Sequence, residues 1–199
     1  MHIGIDFDNT IVCYDDVFYK AAVEKKLIPA AFSPSKTQIR DFFRAEQRET
    51  EWTELQGYVY GARMDLAQPF PGVSAFFAHC QEHNIQISIV SHKTKHPYLG
   101  TQYDLHSAAR KWLLQQPFFH DKIDLFFELT LQEKLRRIGQ TECDAFIDDL
   151  PELLNEPNFP QKPRKILFDP GNLYQENTQW QKLSSWEQMP SILSAFSNS

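Results

Sequence analysis

HIGIDFDNT, at residues 2–10, opens the chain with a short apolar run that closes in two acids, Asp6 and Asp8. A run of this kind predicts a buried strand of a mostly parallel sheet. Similar runs follow at 85–91, 143–149 and 164–169, with a shorter candidate at 124–129. Helical patterns separate them at 72–83, 104–115, 131–138 and 186–196. The alternation predicts an α/β fold, a doubly wound three-layer sandwich around a mostly parallel sheet.

Residues 14–68 interrupt this alternation because they contain no convincing strand. Their patterns predict helices at about 15–27, 35–48 and 51–60. The segment QPFPG at 68–72 then returns the chain to the sheet. We therefore expect a small all-helical cap at 14–68, inserted into an α/β core domain formed by 1–13 and 69–199. The last three residues, 197–199, are expected to fray.

Composition narrows the class of protein. A chain of 199 residues supports one core with a small appendage. The net charge of -6 opposes binding to a nucleic-acid duplex, and no stretch resembles a membrane span. Cys13, Cys80 and Cys143 are scattered and odd in number, which suits a reducing cytoplasm better than a disulfide framework. We expect a cytoplasmic protein, and its composition indicates no oligomeric state.

Acidic residues close two of the predicted strands. Asp6 and Asp8 follow the first, and Asp148 and Asp149 end the strand at 143–149. In parallel sheets ligands bind beyond the carboxyl ends of the strands, so these four carboxylates are expected to converge and to need a balancing cation. Mg²⁺ suits such oxygen ligands. Lys134 is the candidate for a balancing ammonium, with Lys122 as the alternative.

The order and spacing of these residues resemble the four motifs of the haloacid dehalogenase superfamily. DFDNT at 6–10 resembles the first motif, Ser91 the second, Lys134 the third, and the acids at 148–149 the fourth. The likeness covers nearly the whole chain, and the helical insertion resembles the small cap that many members carry after the first motif. Asn9 departs from the pattern, since many members have glycine there.

The resemblance implies a Mg²⁺-dependent phosphatase that uses Asp6 as the nucleophile and forms an aspartyl-phosphate. It implies that Asp8 is the general acid and base, because the dehalogenating members lack an acid there. The family pattern also implies that the metal is held by the side chains of Asp6 and Asp148 and by the backbone carbonyl of Asp8. Asp149 would bind the metal through water or orient neighbouring residues. The residues expected to bind the substrate phosphate are Thr10, Ser91, His92 and Lys134.

Plainer interpretations stand beside these. Acids at strand ends also form turns and helix N-caps. Arg40, Arg44 and Arg48 share a helical face that is either solvated or a basic rim. The long polar loop at 92–104 is either a functional loop near the site or a disordered surface loop. Trp52, Tyr58 and Tyr60 either stack a nucleobase or pack the cap.

We expect a phosphomonoester hydrolase acting on a small phosphorylated metabolite, either a sugar phosphate or, as in a 5'-nucleotidase, a nucleotide. The alternatives from another class are a phosphoacceptor regulatory module and a catalytically silent binding domain. Regulatory receivers carry the phosphorylated aspartate on a later strand and have no insertion after the first. Here the acidic motif opens the chain, and no motif acid is missing.

Overall fold

A computed structural model describes residues 1–196, so the expectation for residues 197–199 lies outside the described part of the chain. The strands are β1 His2–Ile5, β2 Val12–Cys13, β3 Gln68–Pro69, β4 Gln86–His92, β5 Asp124–Glu128, β6 Ala145–Asp148, β7 Arg164–Phe168 and β8 Gln181–Leu183. The helices are α1 Asp15–Glu24, α2 Lys36–Ala45, α3 Glu49–Ala62, α4 Val73–Glu82, α5 Leu105–Leu114, α6 Leu131–Thr141, α7 Pro151–Leu154 and α8 Met189–Phe196. Two short 3₁₀ helices cover Met64–Leu66 and Trp186–Gln188. Within residues 1–196, every helix is too short or too polar to cross a bilayer.

The main sheet has six strands in the order β5-β4-β1-β6-β7-β8, and all the neighbouring pairs are parallel. This confirms the predicted α/β class with a mostly parallel sheet. The five strands predicted from apolar runs are all present. The sixth, β8, was not predicted, because its sequence QKL has only one apolar residue. Polar edge strands lack the apolar run that marks a buried strand.

The register of the sheet aligns the ends of β1, β4 and β6. Ile5 of β1 pairs with Ile89 of β4 on one side and with Ile147 of β6 on the other. The next amide, that of Asp6, donates to the carbonyl of Ile147 at 2.9 Å. Asp6 therefore lies level with Asp148 on the adjacent strand, at the carboxyl edge of the sheet.

The sheet belongs to a compact unit formed by residues 1–12, 69–92 and those from 117 onward, called the first unit below. Phe146 of β6 packs in its core with helices α6 and α7. A Cβ atom on Gly4 of β1 would lie 2.5 Å from Cδ2 of Phe146, so only glycine fits there. Trp186, also fully buried, donates its indole N–H to the Thr10 carbonyl at 3.0 Å.

The second unit comprises residues 13–68 and 93–116, and it contains α1, α2, α3 and α5. Its core holds Phe18, which stacks on Trp52 at a ring-centroid distance of 4.9 Å. The Trp112 indole of α5 donates to the Ala67 carbonyl at 2.9 Å. Residues 93–116 were predicted to belong to the α/β core, whereas their contacts group them with 13–68. The role of 14–68 as a cap stays a prediction.

Candidate active site

Lys134 joins two acids at the carboxyl edge of the sheet. Its Nζ lies 2.6 Å from Oδ1 of Asp6 and 2.6 Å from Oδ2 of Asp148, and all three side chains are buried. A capping box fixes the start of α6: Thr130 accepts from the Glu133 amide, and the Glu133 carboxylate accepts from the Thr130 amide. Lys134 follows directly, so the cap helps to aim its ammonium group between the two strands.

Burial dominates the electrostatics of the triad formed by Asp6, Lys134 and Asp148. Desolvation raises the pKa of Asp6 from 3.8 to about 7; the Lys134 ammonium opposes this rise, and the charges of Asp148 and Asp8 add to it. Burial would lower the pKa of Lys134, but the charges of Asp148 and Asp6 outweigh it and raise the pKa above the ordinary value. Lys134 is therefore a fixed cation beside an excess of negative charge.

A tight turn follows β1 and carries the rest of the first motif. The Phe7 carbonyl accepts from the amides of Ile11 and Val12, both at 3.1 Å. Asn9 has φ +58°, a left-handed conformation that glycine adopts freely and that asparagine tolerates better than most residues. This explains why asparagine can stand where the resemblance suggests glycine.

Thr10, in the same turn, is completely buried. Its side-chain Oγ1 has no hydrogen-bond partner among residues 1–196. A buried hydroxyl without a partner is costly, and a ligand oxygen would relieve that cost. This observation favours a polar ligand at the turn.

The other predicted site residues differ in their exposure. Ser91 is buried in β4, whereas His92 is exposed and its Nε2 lies 3.2 Å from the Leu129 carbonyl. Asp8 and Asp149 are half-buried, each two residues or fewer from a triad acid. The alternative lysine, Lys122, is exposed just before β5 begins, at the opposite edge of the sheet.

The acids at this edge of the sheet are a candidate donor set for a metal ion. Within the described residues, no three or more His, Cys, Asp or Glu side chains are arranged as a cage for a metal ion. Mg²⁺, however, needs only one or two carboxylates and completes its shell with water and substrate phosphate. Asp6 and Asp148 are two such carboxylates on adjacent strands, and the nearby charge of Asp8 already raises the pKa of Asp6. The donor set therefore fits Mg²⁺.

Comparisons of sequence found no protein-family model that matches the chain and no curated protein that is similar to it. Comparisons of structure found many similar chains. A hydrolase of the haloacid dehalogenase (HAD) superfamily from Ehrlichia chaffeensis has a TM-score of 0.59 at 11% identity. The match covers 98% of this chain and 96% of that one. A predicted phosphatase from Clostridium acetobutylicum has a TM-score of 0.57 at 13% identity, covering 97% and 98%.

CbbY from Rhodobacter sphaeroides, solved in complex with phosphate, has a TM-score of 0.54 at 13% identity and covers 94% of this chain and 95% of that one. These matches span nearly the full length of each chain. The protein has the haloacid dehalogenase fold. At identities this low the likeness concerns the fold alone.

Among the buried polar residues at positions 1–196, three were not singled out from the sequence. They are Ser88, Lys93 and Asp169. Ser88 Oγ lies 2.8 Å from His2 Nε2, and Lys93 Nζ lies 4.9 Å from the centre of the Tyr60 ring. Asp169 follows β7 directly, so the signal that marked Asp6, an acid closing an apolar strand, was present there too.

Two open interpretations concern the second unit. Trp52 is buried against Phe18, which favours packing over nucleobase stacking for that residue. Arg48 lies beyond the end of α2, at the N-cap of α3, so the predicted single helical face of Arg40, Arg44 and Arg48 is not formed. Each of the three arginines pairs with a nearby acid, which favours a solvated surface over a basic rim. Those pairs are Arg40 with Asp41, Arg44 with Glu49 and Arg48 with Glu51.

Proposed function

We propose that the protein is a Mg²⁺-dependent phosphomonoester hydrolase acting on a small phosphorylated metabolite in the cytoplasm. The observation that carries the proposal is the buried triad in which Lys134 lies 2.6 Å from both Asp6 and Asp148. Two buried acids on adjacent strands, held by one ammonium, make an anionic site that suits a divalent cation and its bound phosphate. A predicted phosphatase and a protein solved in complex with phosphate have the same fold, which supports this assignment.

In the first half-reaction, a carboxylate oxygen of Asp6 attacks the substrate phosphorus. A bond forms between Asp6 and phosphorus, and the bond from phosphorus to the ester oxygen breaks. Asp8 donates a proton to the leaving oxygen, so the alcohol departs neutral and Asp6 carries the phosphoryl group. Lys134, Thr10 and Ser91 would donate hydrogen bonds or charge to the phosphoryl oxygens.

In the second half-reaction, water attacks the phosphorus of the aspartyl-phosphate. Asp8, now a carboxylate, accepts the proton of that water, and the bond from Asp6 to phosphorus breaks to release inorganic phosphate. Asp6 and Asp148, with the Asp8 carbonyl, would hold Mg²⁺, which when bound neutralises charge on the phosphoryl oxygens. The ionised form of Asp6 is needed both to attack and to bind the metal.

The test is hydrolysis of phenyl phosphate with and without Mg²⁺, by the wild-type protein and by Asp6→Asn and Asp8→Asn. We expect metal-dependent turnover that Asp6→Asn abolishes and that Asp8→Asn slows by about 10²–10⁴-fold. Asp121→Asn is the matched control, because Asp121 is an exposed acid at the opposite edge of the sheet. Its activity should equal that of the wild type.

Two results would refute the proposal. One is that the folded wild-type protein hydrolyses neither phenyl phosphate nor any member of a panel of sugar phosphates and nucleotides. The other is hydrolysis that Asp6→Asn leaves intact. In the first case, a phosphoacceptor or binding role on the same fold would become the better explanation.

A further inference from the structure

The large apolar side chains that the first unit exposes are concentrated at one edge of its sheet. Within its described residues they are Met1, Leu129, Leu150, Leu173 and Tyr174. All except Met1 follow the carboxyl ends of strands, namely β5, β6 and β7. Single exposed apolar residues need no explanation, but a group confined to the edge that carries the Asp6 triad does. We call Leu129, Leu150, Leu173 and Tyr174 the apolar rim.

Leu150 is tied directly to the triad. It follows Asp148 by two residues, and its amide donates to Oδ1 of Asp148 at 2.9 Å. The other carboxylate oxygen of Asp148 accepts from Lys134. The Leu150 side chain is nevertheless 50% exposed. The backbone of Leu150 is therefore held beside Asp148, while its apolar side chain is exposed and does not fill the core.

Leu173 and Tyr174 belong to a loop that a buried ion pair holds in shape. Asp169 accepts from the amides of Leu173 at 2.9 Å and Tyr174 at 3.0 Å. Lys182 lies 3.0 Å from Asp169 and donates to the Tyr174 carbonyl at 2.6 Å. Leu173 is 74% exposed on this loop. The hydrogen bonds to Asp169 hold the backbone of Leu173 in place, so the exposure of its side chain does not result from a flexible loop.

Leu129 lies on the other side of the triad. It follows β5, and its carbonyl lies 3.2 Å from Nε2 of His92 at the end of β4. In the strand order, β1 has β4 and β5 on one side and β6 and β7 on the other. Adjacent strands are about 4.8 Å apart, so the strands that the rim residues follow lie roughly 5–10 Å to either side of β1, which ends just before Asp6.

We propose that the apolar rim binds the leaving group of the substrate, and that the substrate is therefore the phosphate monoester of an apolar alcohol. This inference rests on the proposed hydrolase function. The phosphate would bind at the triad, since that end of the site is charged, and the organic part would project between the rim side chains. Binding there removes exposed apolar surface from water, so a substrate with an alkyl chain should bind more tightly than one with a polyhydroxylated chain.

The test compares ethyl phosphate with hexyl phosphate, two esters whose leaving alcohols have nearly equal acidity but differ by four methylene groups. Full burial of a methylene favours binding by about fourfold, and half burial on a rim by about twofold. We expect kcat/KM to be about 10–20-fold higher for hexyl phosphate in the wild type, mainly through KM. The double variant Leu150→Ser/Leu173→Ser should reduce that ratio to less than about threefold.

Leu114→Ser is the matched control, because Leu114 is 69% exposed on α5 in the second unit and is not part of the rim. It should keep the wild-type ratio. Both rim positions are exposed, and Leu150 is the N-cap of α7, where serine is favoured, so the double variant should fold. Inhibition by inorganic phosphate should be unchanged, since the triad is intact.

A wild-type ratio below about threefold would overturn the inference, as would a double variant that keeps the wild-type ratio. If neither ester is hydrolysed, the phenyl phosphate assay decides the proposed function, and calorimetric binding of hexylphosphonate and ethylphosphonate tests the apolar rim. Tighter binding of the hexyl compound that is lost in the double variant would support the rim. Equal binding of the two compounds would overturn it.

Discussion

Replacing Lys134 with methionine removes the cation from the triad and keeps a side chain of similar length. At 2.6 Å and an effective dielectric of about 20, each ion pair contributes about 6 kcal/mol of attraction. Desolvation of the buried ions offsets much of this, at several kcal/mol for each ion. Removing one partner leaves two buried acids uncompensated, so we expect Lys134→Met to lower the free energy of unfolding by about 3–5 kcal/mol near pH 8.

The loss should depend on pH in a defined direction. Burial raises the pKa of Asp6 from 3.8 to about 7, and Lys134 opposes that rise. An acid with a higher pKa in the folded chain stabilises the fold while it is protonated, and this contribution disappears as pH rises from about 4 through 7. Without Lys134 the pKa rises further. The deficit of Lys134→Met should therefore be larger at pH 8 than at pH 5.

The assay is urea unfolding followed by circular dichroism at pH 5 and pH 8, with EDTA present so that no divalent cation replaces the missing charge. The double variant Asp6→Asn/Lys134→Met is the control. Because it removes an acid together with the lysine, it should be more stable than Lys134→Met at pH 8. A deficit below about 1 kcal/mol at pH 8, or equal stability of the single and double variants, would refute the reasoning.

Three further predictions concern packing, capping and reactivity. Gly4→Ala should lower the free energy of unfolding by about 1–3 kcal/mol in thermal unfolding, because its Cβ would lie 2.5 Å from Cδ2 of Phe146. Ser35→Ala should cost about 0.5–1 kcal/mol by the same measurement, because Ser35 accepts from the amide of Gln38 at the start of α2. Cys80 should resist iodoacetamide at pH 8 in the folded protein, as followed by mass spectrometry, because burial raises the pKa of its thiol to about 12.

Each of these has its own control. Gly139→Ala on α6 should be neutral or stabilising, since its Cβ would meet nothing closer than Pro160 at 3.5 Å. Equal effects at Gly4 and Gly139 would contradict the packing argument. Ser33→Ala lies outside the helix cap and should cost less than Ser35→Ala. Cys80 should react once guanidinium unfolds the chain, and rapid reaction before unfolding would show that its thiol is accessible.

The strands and the acids that close them were predictable because they follow a local rule. Apolar runs mark buried strands, and the carboxyl ends of parallel strands share one edge. This logic predicted Asp6 and Asp148 together before any coordinates. It favoured Lys134 over Lys122 by position alone, because both are near the same predicted strand. The choice depends on which edge each lysine occupies, and the register of β5 against β4 decides that.

The packing of residues 93–116 was not predictable in the same way. The helical pattern of α5 was recognised, but the partner of its apolar face is chosen by tertiary contacts that no local pattern records. In the structure that face includes Trp112, whose indole N–H donates a hydrogen bond to the Ala67 carbonyl. Similarly, Asn9 was seen as a departure from a family pattern, and only its positive φ explains why the substitution is tolerated.

The central position of β1 affects how the chain can assemble during synthesis. Both neighbours of β1 come later in the sequence, and the hydrogen bond from the His2 amide to Asp144 spans 142 residues. At ribosomal rates of about 5–20 residues per second, the first strand waits on the order of 10 s for its second partner. During that interval the apolar edge of HIGI is open to other chains. The protein should therefore benefit from a nascent-chain chaperone, and refolding should be slow because β1 pairs with strands that are far away in the sequence.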